Sequence, residues 1–209
     1  MIRAPVRILL ADDHELVRDG LKRILAATTD LQVAGEAASG DQALALARAN
    51  DYDVAMLDLS MPGLAGLDLI KRLKSEKPAL KLLVLSMHGE QQYAARALKA
   101  GASGYLTKDS AAEQLVVALR KIAAGGVHIS EAAAASLVAS GNRLQGALSD
   151  REFEVLRMLA SGLGPTDIGE RLHLSVKTVS THKARILEKL DLRSTADLVR
   201  YAMEHKLLP

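Results

Sequence analysis

From Val6 to about Ala124 short β-branched or aliphatic runs alternate with longer amphipathic stretches, and this alternation constrains the fold more than any other feature of the chain. Apolar runs of four to six residues are strands, whereas apolar positions at three-and-four spacing are one face of a helix. Strands are expected at Val6–Ala11, Gln32–Ala37, Val54–Leu57, Lys81–Ser86 and Gly104–Thr107. Helices are expected between and after them at Glu15–Ala26, Gly40–Asn50, Gly66–Ser75, Glu90–Ala100 and Ala111–Ala124. Strands joined through helices are parallel, and right-handed crossovers with helices on both faces leave an open, doubly wound five-stranded sheet as the favoured solution. In such sheets ligands meet the carboxyl ends of the strands, which makes those positions the first to inspect.

The second part of the chain has a different period. After Gly125-Gly126 an alanine-rich stretch, Glu131–Ala139, predicts a short helix, and Ser140-Gly141-Asn142-Arg143 a polar linker. From Leu148 onward strand signals vanish and four helices are expected, at Asp150–Ser161, Thr166–Leu172, Val176–Leu190 and Thr195–His205. Ser149, Pro165, Ser175 and Ser194 mark their starts, and Glu152 stands three after Ser149 as a capping box requires. The 209 residues therefore divide into an α/β domain over 1–126, a linker with a short helix over 127–146 and a small all-α domain over 147–209.

Composition narrows the setting. There is no cysteine, so disulfides, thiolate metal sites and thiol catalysis are excluded together, as suits a reducing compartment. No apolar run reaches the roughly 18 residues that span a bilayer, and Met1-Ile2-Arg3-Ala4-Pro5 leads straight into a strand, so a cytoplasmic protein without membrane contact is expected. The formal net charge of +2 is too small to argue for nucleic acid. Between Ser175 and Leu190, however, four cations stand against one acid, and cations clustered on one element are what counterion release responds to.

Five polar residues fall at strand ends: Asp12 and Asp13 after the first, Asp58 after the third, Ser86 ending the fourth and Lys108 after the fifth. Carboxylates gathered at one sheet edge repel one another unless a divalent cation, an ammonium group or both sit among them. Mg²⁺ fits best, since it takes about six oxygens and keeps several waters, leaving room for phosphoryl oxygens. Phosphoryl transfer needs alignment and charge neutralisation, which the cation, Lys108 and the Ser86 hydroxyl supply. Asp58, central in the edge, is the expected nucleophile and would form an aspartyl phosphate.

The segment ILLADDHELVRDGL, the loop Leu57-Asp58-Leu59-Ser60-Met61-Pro62-Gly63 with Gly66, and GASGYLTKD resemble the receiver domain of NarL/FixJ-type response regulators. The resemblance implies a flavodoxin-like (CheY-like) sheet and an Asp58 that takes its phosphoryl group from a phosphohistidine of a sensor histidine kinase. It further implies that Asp12, Asp13, Asp58 and the Ser60 carbonyl hold Mg²⁺, that Lys108 contacts the phosphoryl group, and that Ser86 and Tyr105 move together as the switch. A hydroxyl drawn inward toward a phosphoryl oxygen vacates space that the Tyr105 ring can fill. His14 follows the acidic pair and is expected at the edge of the site with no chemistry of its own.

From Leu148 to Leu190 the chain is similar to the LuxR-type helix-turn-helix, on Leu148-Ser149-Asp150-Arg151-Glu152, on Ala160-Ser161-Gly162-Leu163, and on the run from Leu174 to His182. Where the family usually has Asn-Lys-Glu-Ile, this chain has Pro165-Thr166-Asp167-Ile168 and so lacks a lysine near the phosphate backbone. Val179, Ile186 and Leu190 are expected to pack inward. Lys177, Lys183, Arg185 and Lys189 are assigned to phosphates of double-stranded DNA, and Ser180, Thr181 and Ala184 to the groove floor; Thr178 is counted with them as a DNA-binding position. His182 is expected to pack rather than to read bases. The last helix resembles the family's dimerisation helix, with Leu198 and Ala202 expected on its exposed face, and implies a homodimer reading two half-sites; the same residues equally suit the fourth wall of a monomeric bundle.

Two other readings remain. A phosphatase of the haloacid dehalogenase type also uses an aspartyl nucleophile with Mg²⁺, but needs two aspartates separated by one residue after the first strand, and here they are adjacent. A receiver serving only as an unphosphorylated interaction module is opposed by the complete acidic set.

Overall fold

The structure is a computed structural model that describes residues 4–64, 66–86, 91–110, 112–129, 148–205 and 207. Along the chain the described residues comprise an α/β part up to residue 129 and a helical part from residue 148; by compactness they divide into one unit of residues 4–86 and 96–129 and a second of 91–95 and 148–207. The expected helix at 131–139 lies outside the described residues.

In the first unit five strands, β1 (Val6–Ala11), β2 (Leu31–Ala37), β3 (Val54–Asp58), β4 (Lys81–Ser86) and β5 (Gly104–Thr107), form one parallel sheet in the order β2-β1-β3-β4-β5. They alternate with α1 (Glu15–Ala26), α2 (Gly40–Ala49), α3 (Gly66–Glu76), α4 (Gln91–Lys99) and α5 (Ala112–Ala123). This is the doubly wound order expected from the alternation, with its reversal between β1 and β3. The strands lack polar alternation because both sheet faces are covered, and every residue of β3 is buried. Ile8, Leu10, Val54, Met56, Leu83, Leu85 and Leu106 pack with Leu25 of α1 and with Leu115, Leu119 and Ile122 of α5. The alternate positions Leu9, Leu57 and Val84 are also fully buried, on the opposite face.

Register aligns the strand ends. Ala11 pairs with Leu57, so Asp12 and Asp58 are the next residues on neighbouring strands; Asp58 in turn pairs with Leu85, and Ser86 with Thr107. Asp12, Asp58, Ser86 and Lys108 thus reach one edge within two residues of each other.

The helical unit contains α6 (Asp150–Ala160), α7 (Pro165–Leu172), α8 (Val176–Lys189) and α9 (Thr195–Glu204). The capping box at α6 is formed: the Ser149 hydroxyl accepts from the Glu152 amide at 3.3 Å and Glu152 Oε2 accepts from the Ser149 amide at 2.7 Å. Ser175 and Ser194 cap α8 and α9 by accepting the Thr178 and Asp197 amides, and Pro165 opens α7 where no amide donor is needed. His173 ends α7 in the left-handed region at φ 51°, turning the chain into α8. Val155, Leu156, Ile168, Leu172, Val179 and Ile186 form the centre of this unit.

One expectation is corrected here. Leu198 and Ala202 are not on the exposed face of α9; both are 0% exposed and line the wall of the bundle where α9 lies against α6. A four-residue apolar spacing states that two side chains share a face, and the packing decides where that face points. Met203, 64% exposed, is the large apolar residue that this helix presents among the described residues. Among the described residues no helix is long and apolar enough to cross a membrane.

Candidate functional site

At the sheet edge Asp12 is fully buried and Asp58 is 2% exposed, whereas Asp13 stands at the surface. Burying two carboxylates side by side is costly without a cation between them. Lys108 provides it: its Nζ lies 2.7 Å from Asp58 Oδ2 and 2.6 Å from Asp12 Oδ2, and its side chain is 7% exposed. Burial draws the Lys108 ammonium toward a lower pKa, but its close contacts with the Asp12 and Asp58 carboxylates outweigh it and hold it above the usual lysine value. Lys108 therefore stays charged throughout the neutral range.

Local backbone contacts hold the rest. The Ser60 amide donates to Asp58 Oδ1 at 3.0 Å, fixing the carboxylate plane, while Ser60 itself is exposed. The His14 amide donates to Asp12 Oδ1 at 2.9 Å, and its ring Nδ1 lies 2.9 Å from Asp13 Oδ1 with a side chain 64% exposed, at the rim. Arg18 of α1 donates from a guanidinium nitrogen to the Asp12 carbonyl at 2.8 Å, pinning the turn that carries both acids. That contact was not anticipated from sequence; an arginine six residues after Asp12 on a predicted helix is the only signal. Ser86 is buried at the end of β4, and its carbonyl accepts the Lys108 amide at 2.7 Å. Tyr105 is 6% exposed on β5, opposite Val84.

The loop after Asp58 is tied to α2. The Gly40 amide donates to the Pro62 carbonyl at 3.3 Å and Asp41 Oδ2 accepts the Leu64 amide at 3.1 Å. A β-carbon at Gly40 would collide with the Leu64 carbonyl, which is backbone and must move. Gly40→Ala is therefore expected to destabilise the first unit by about 1–3 kcal/mol, as overpacking against backbone does. Urea denaturation measures it, and an unchanged midpoint would show that the loop yields freely.

Ligand atoms of Asp12, Asp13, His14 and Asp58 all lie within 4.8 Å of one another. Asp12 Oδ2, although within ion-pair distance of Lys108, has no aligned hydrogen bond and is fully buried. A buried carboxylate oxygen in that condition, among further carboxylates, is a donor set suited to a hard divalent cation.

In the helical unit α8 buries Val179 and Ile186, half-buries Leu190 and exposes Lys177, Ser180, Thr181, Ala184 and Arg185. Ser180 and Thr181 donate their hydroxyls to the carbonyls of Val176 and Lys177, both at 2.9 Å, which keeps the side chains short against the helix. Thr178 is half-buried and shares the Ser175 cap, with the two hydroxyl oxygens 2.8 Å apart. Lys183 is half-buried, and so is His182, whose Nδ1 has no hydrogen-bond partner. Lys189 is placed apart from the others: its Nζ is 2.7 Å from Glu152 Oε2.

The architecture and these two sites define a class, the regulators that pair an α/β input domain with a DNA-binding helical domain. Residues 8–120 match the response regulator receiver domain, and residues 146–202 match the bacterial regulatory proteins of the luxR family. Over 97% of this chain, the response regulator UvrY of Escherichia coli O6:H1 is 35% identical (95% of its own length) and the oxygen regulatory protein NreC of Staphylococcus haemolyticus 38% (99%). The solved structure of the RcsB response regulator of Salmonella typhimurium is similar at a TM-score of 0.77 and 28% identity, over 97% of this chain and 99% of the other. The chain belongs to the NarL/FixJ-type response regulators, DNA-binding transcriptional regulators of two-component systems and not enzymes.

Proposed function

We propose that Asp58 is the phosphoacceptor of this regulator, that a sensor histidine kinase is its donor, and that its phosphorylation raises the affinity of α8 for double-stranded DNA. The observation that carries the reading is the single ammonium bridging two buried carboxylates, Lys108 to Asp12 and Asp58. An Asp58 oxygen attacks the phosphorus of a phosphohistidine, the P–N bond breaks as the P–O bond forms, and the imidazole leaves with the bonding pair. Lys108, already in contact with Asp58, turns its donors to the phosphoryl oxygens. Asp12, Asp13, Asp58 and the Ser60 carbonyl would hold Mg²⁺, which supplies charge neutralisation at the phosphoryl oxygens when bound. Ser86 and Tyr105, buried on adjacent strands, carry the change away from the site.

The domains of this reading are a receiver over 1–126, a linker over 127–146 and a DNA-binding domain over 147–209. In the latter Lys177, Lys183 and Arg185 meet phosphates while Ser180, Thr181 and Ala184 approach base edges, and the phosphorylated protein acts as a cytoplasmic homodimer on two half-sites. In one solved structure RcsB from Salmonella enterica serovar Typhimurium is bound to promoter rprA in the presence of the phosphomimetic BeF3⁻, which is the state this reading assigns to the phosphorylated chain.

The direct test is acetyl phosphate with Mg²⁺, followed by intact mass. Wild type gains one phosphoryl group, and Asp58→Ala or chelator-treated protein gains none; equal labelling of the variant would move the acceptor elsewhere.

A further inference from the structure

Lys189 and Glu152 lie 37 residues apart in sequence and meet at 2.7 Å. Glu152 is 3% exposed, and the oxygen that receives Lys189 Nζ also receives the Ser149 amide at 2.7 Å. One carboxylate oxygen thereby ties the first turn of α6 to the last turn of α8. The face of α8 toward this contact reads His182, Ile186 and Lys189, spaced by four and three, with Ile186 fully buried and His182 half-buried. Lys189 also sits where the carbonyl end of α8 favours a cation. Burial works to raise the Glu152 carboxyl, but hydrogen bonds from Lys189 and Ser149 hold it below the usual carboxylate range, so it is charged at neutral pH.

We infer that Lys189 contacts Glu152 rather than DNA, and that Glu152 is a positioning residue that fixes the angle at which α8 presents Ser180, Thr181 and Ala184. The inference rests on the reading of α8 as the DNA-binding helix. Val179 and Ile186 hold the helix by apolar contacts that leave it some freedom to roll, whereas a hydrogen-bonded ion pair at its end, anchored on the buried Glu152 carboxylate, favours one orientation. Three of the four cations of α8 then remain for phosphates.

The test is the salt dependence of binding by the full chain, with Mg²⁺ and beryllofluoride, to a fluorescein-labelled duplex of random sequence. Each phosphate contact removed lowers the slope of log K against log salt by about 0.9. Lys177→Met, Lys183→Met and Arg185→Met are expected to flatten the slope, while Lys189→Met lowers affinity at the wild-type slope. A flattened slope for Lys189→Met overturns the inference. Glu152→Gln separates positioning from simple charge, because removing a negative charge from a DNA-binding domain should by electrostatics tighten binding. Positioning predicts several-fold weaker binding instead, and tighter or unchanged binding overturns it. Lys189→Arg retains the pair and should keep wild-type affinity, which also covers the case in which Glu152→Gln does not fold; a loss equal to that of Lys189→Met counts against the inference. If wild type shows no salt-dependent binding, the DNA reading of α8 fails, an outcome distinct from failure of the clamp.

Discussion

Lys108→Met is expected to cost the first unit roughly 3–5 kcal/mol in the absence of divalent cations, the penalty of stripping the partner from a buried charge pair. Methionine keeps the reach of the apolar stem, so packing is nearly conserved and the loss is electrostatic. Asp12 and Asp58 remain, at 0% and 2% exposure, with nothing between them. Saturating Mg²⁺ should return most of the loss, since a ligand that binds only the folded state adds stability by mass action. Urea denaturation followed by circular dichroism, in chelator and in Mg²⁺, measures both arms. Equal midpoints for variant and wild type in chelator would mean that the two carboxylates relax apart at no cost. The pH dependence has a definite sign. Lys108 has a folded pKa above its unfolded value, so its contribution is complete below about pH 10.4 and is lost as pH rises through the folded value. The gap between wild type and variant is therefore expected to hold across the neutral range and to close in strong alkali.

Asp58→Ala is expected to abolish the response of DNA binding to beryllofluoride. Coupling between two sites in one molecule is usually worth about 1–3 kcal/mol, so wild type should bind duplex DNA about 5–150-fold more tightly once the mimic is in place. The variant should show one affinity, with and without it. Linkage adds a second arm: DNA must raise the affinity for beryllofluoride by the same factor. Fluorescence anisotropy reads the first arm and displacement of the mimic at varied DNA concentration reads the second. A variant that still responds would transfer the trigger to another residue.

The sheet edge was legible because its logic is local. A strand of apolar residues ends where a carboxylate or lysine begins, and the parallel register then brings positions 12, 58, 86 and 108 together without further information. The helix starts were legible for the same reason, since Ser149, Ser175 and Ser194 act on amides three residues away. What was missed depends on partners that residue pattern alone does not name, most of them far along the chain. Lys189 reads as one more cation on a basic helix until Glu152 is found beside it. Leu198 and Ala202 share a face in any helix, and only the wall of α6 turns that face inward. Arg18 looks like a solvated helix residue, yet it holds the Asp12 carbonyl and so the turn bearing both acids.

The order β2-β1-β3-β4-β5 has a consequence for biosynthesis. The chemistry is shared among four strand ends, and Lys108 arrives only after the fifth strand. A nascent chain that has just left the ribosome with Asp12 and Asp58 still lacks the ammonium that makes the pair tolerable. The edge therefore reaches its balanced charge late and in one step, and a copy broken off before β5 is expected to keep both acids without their cation.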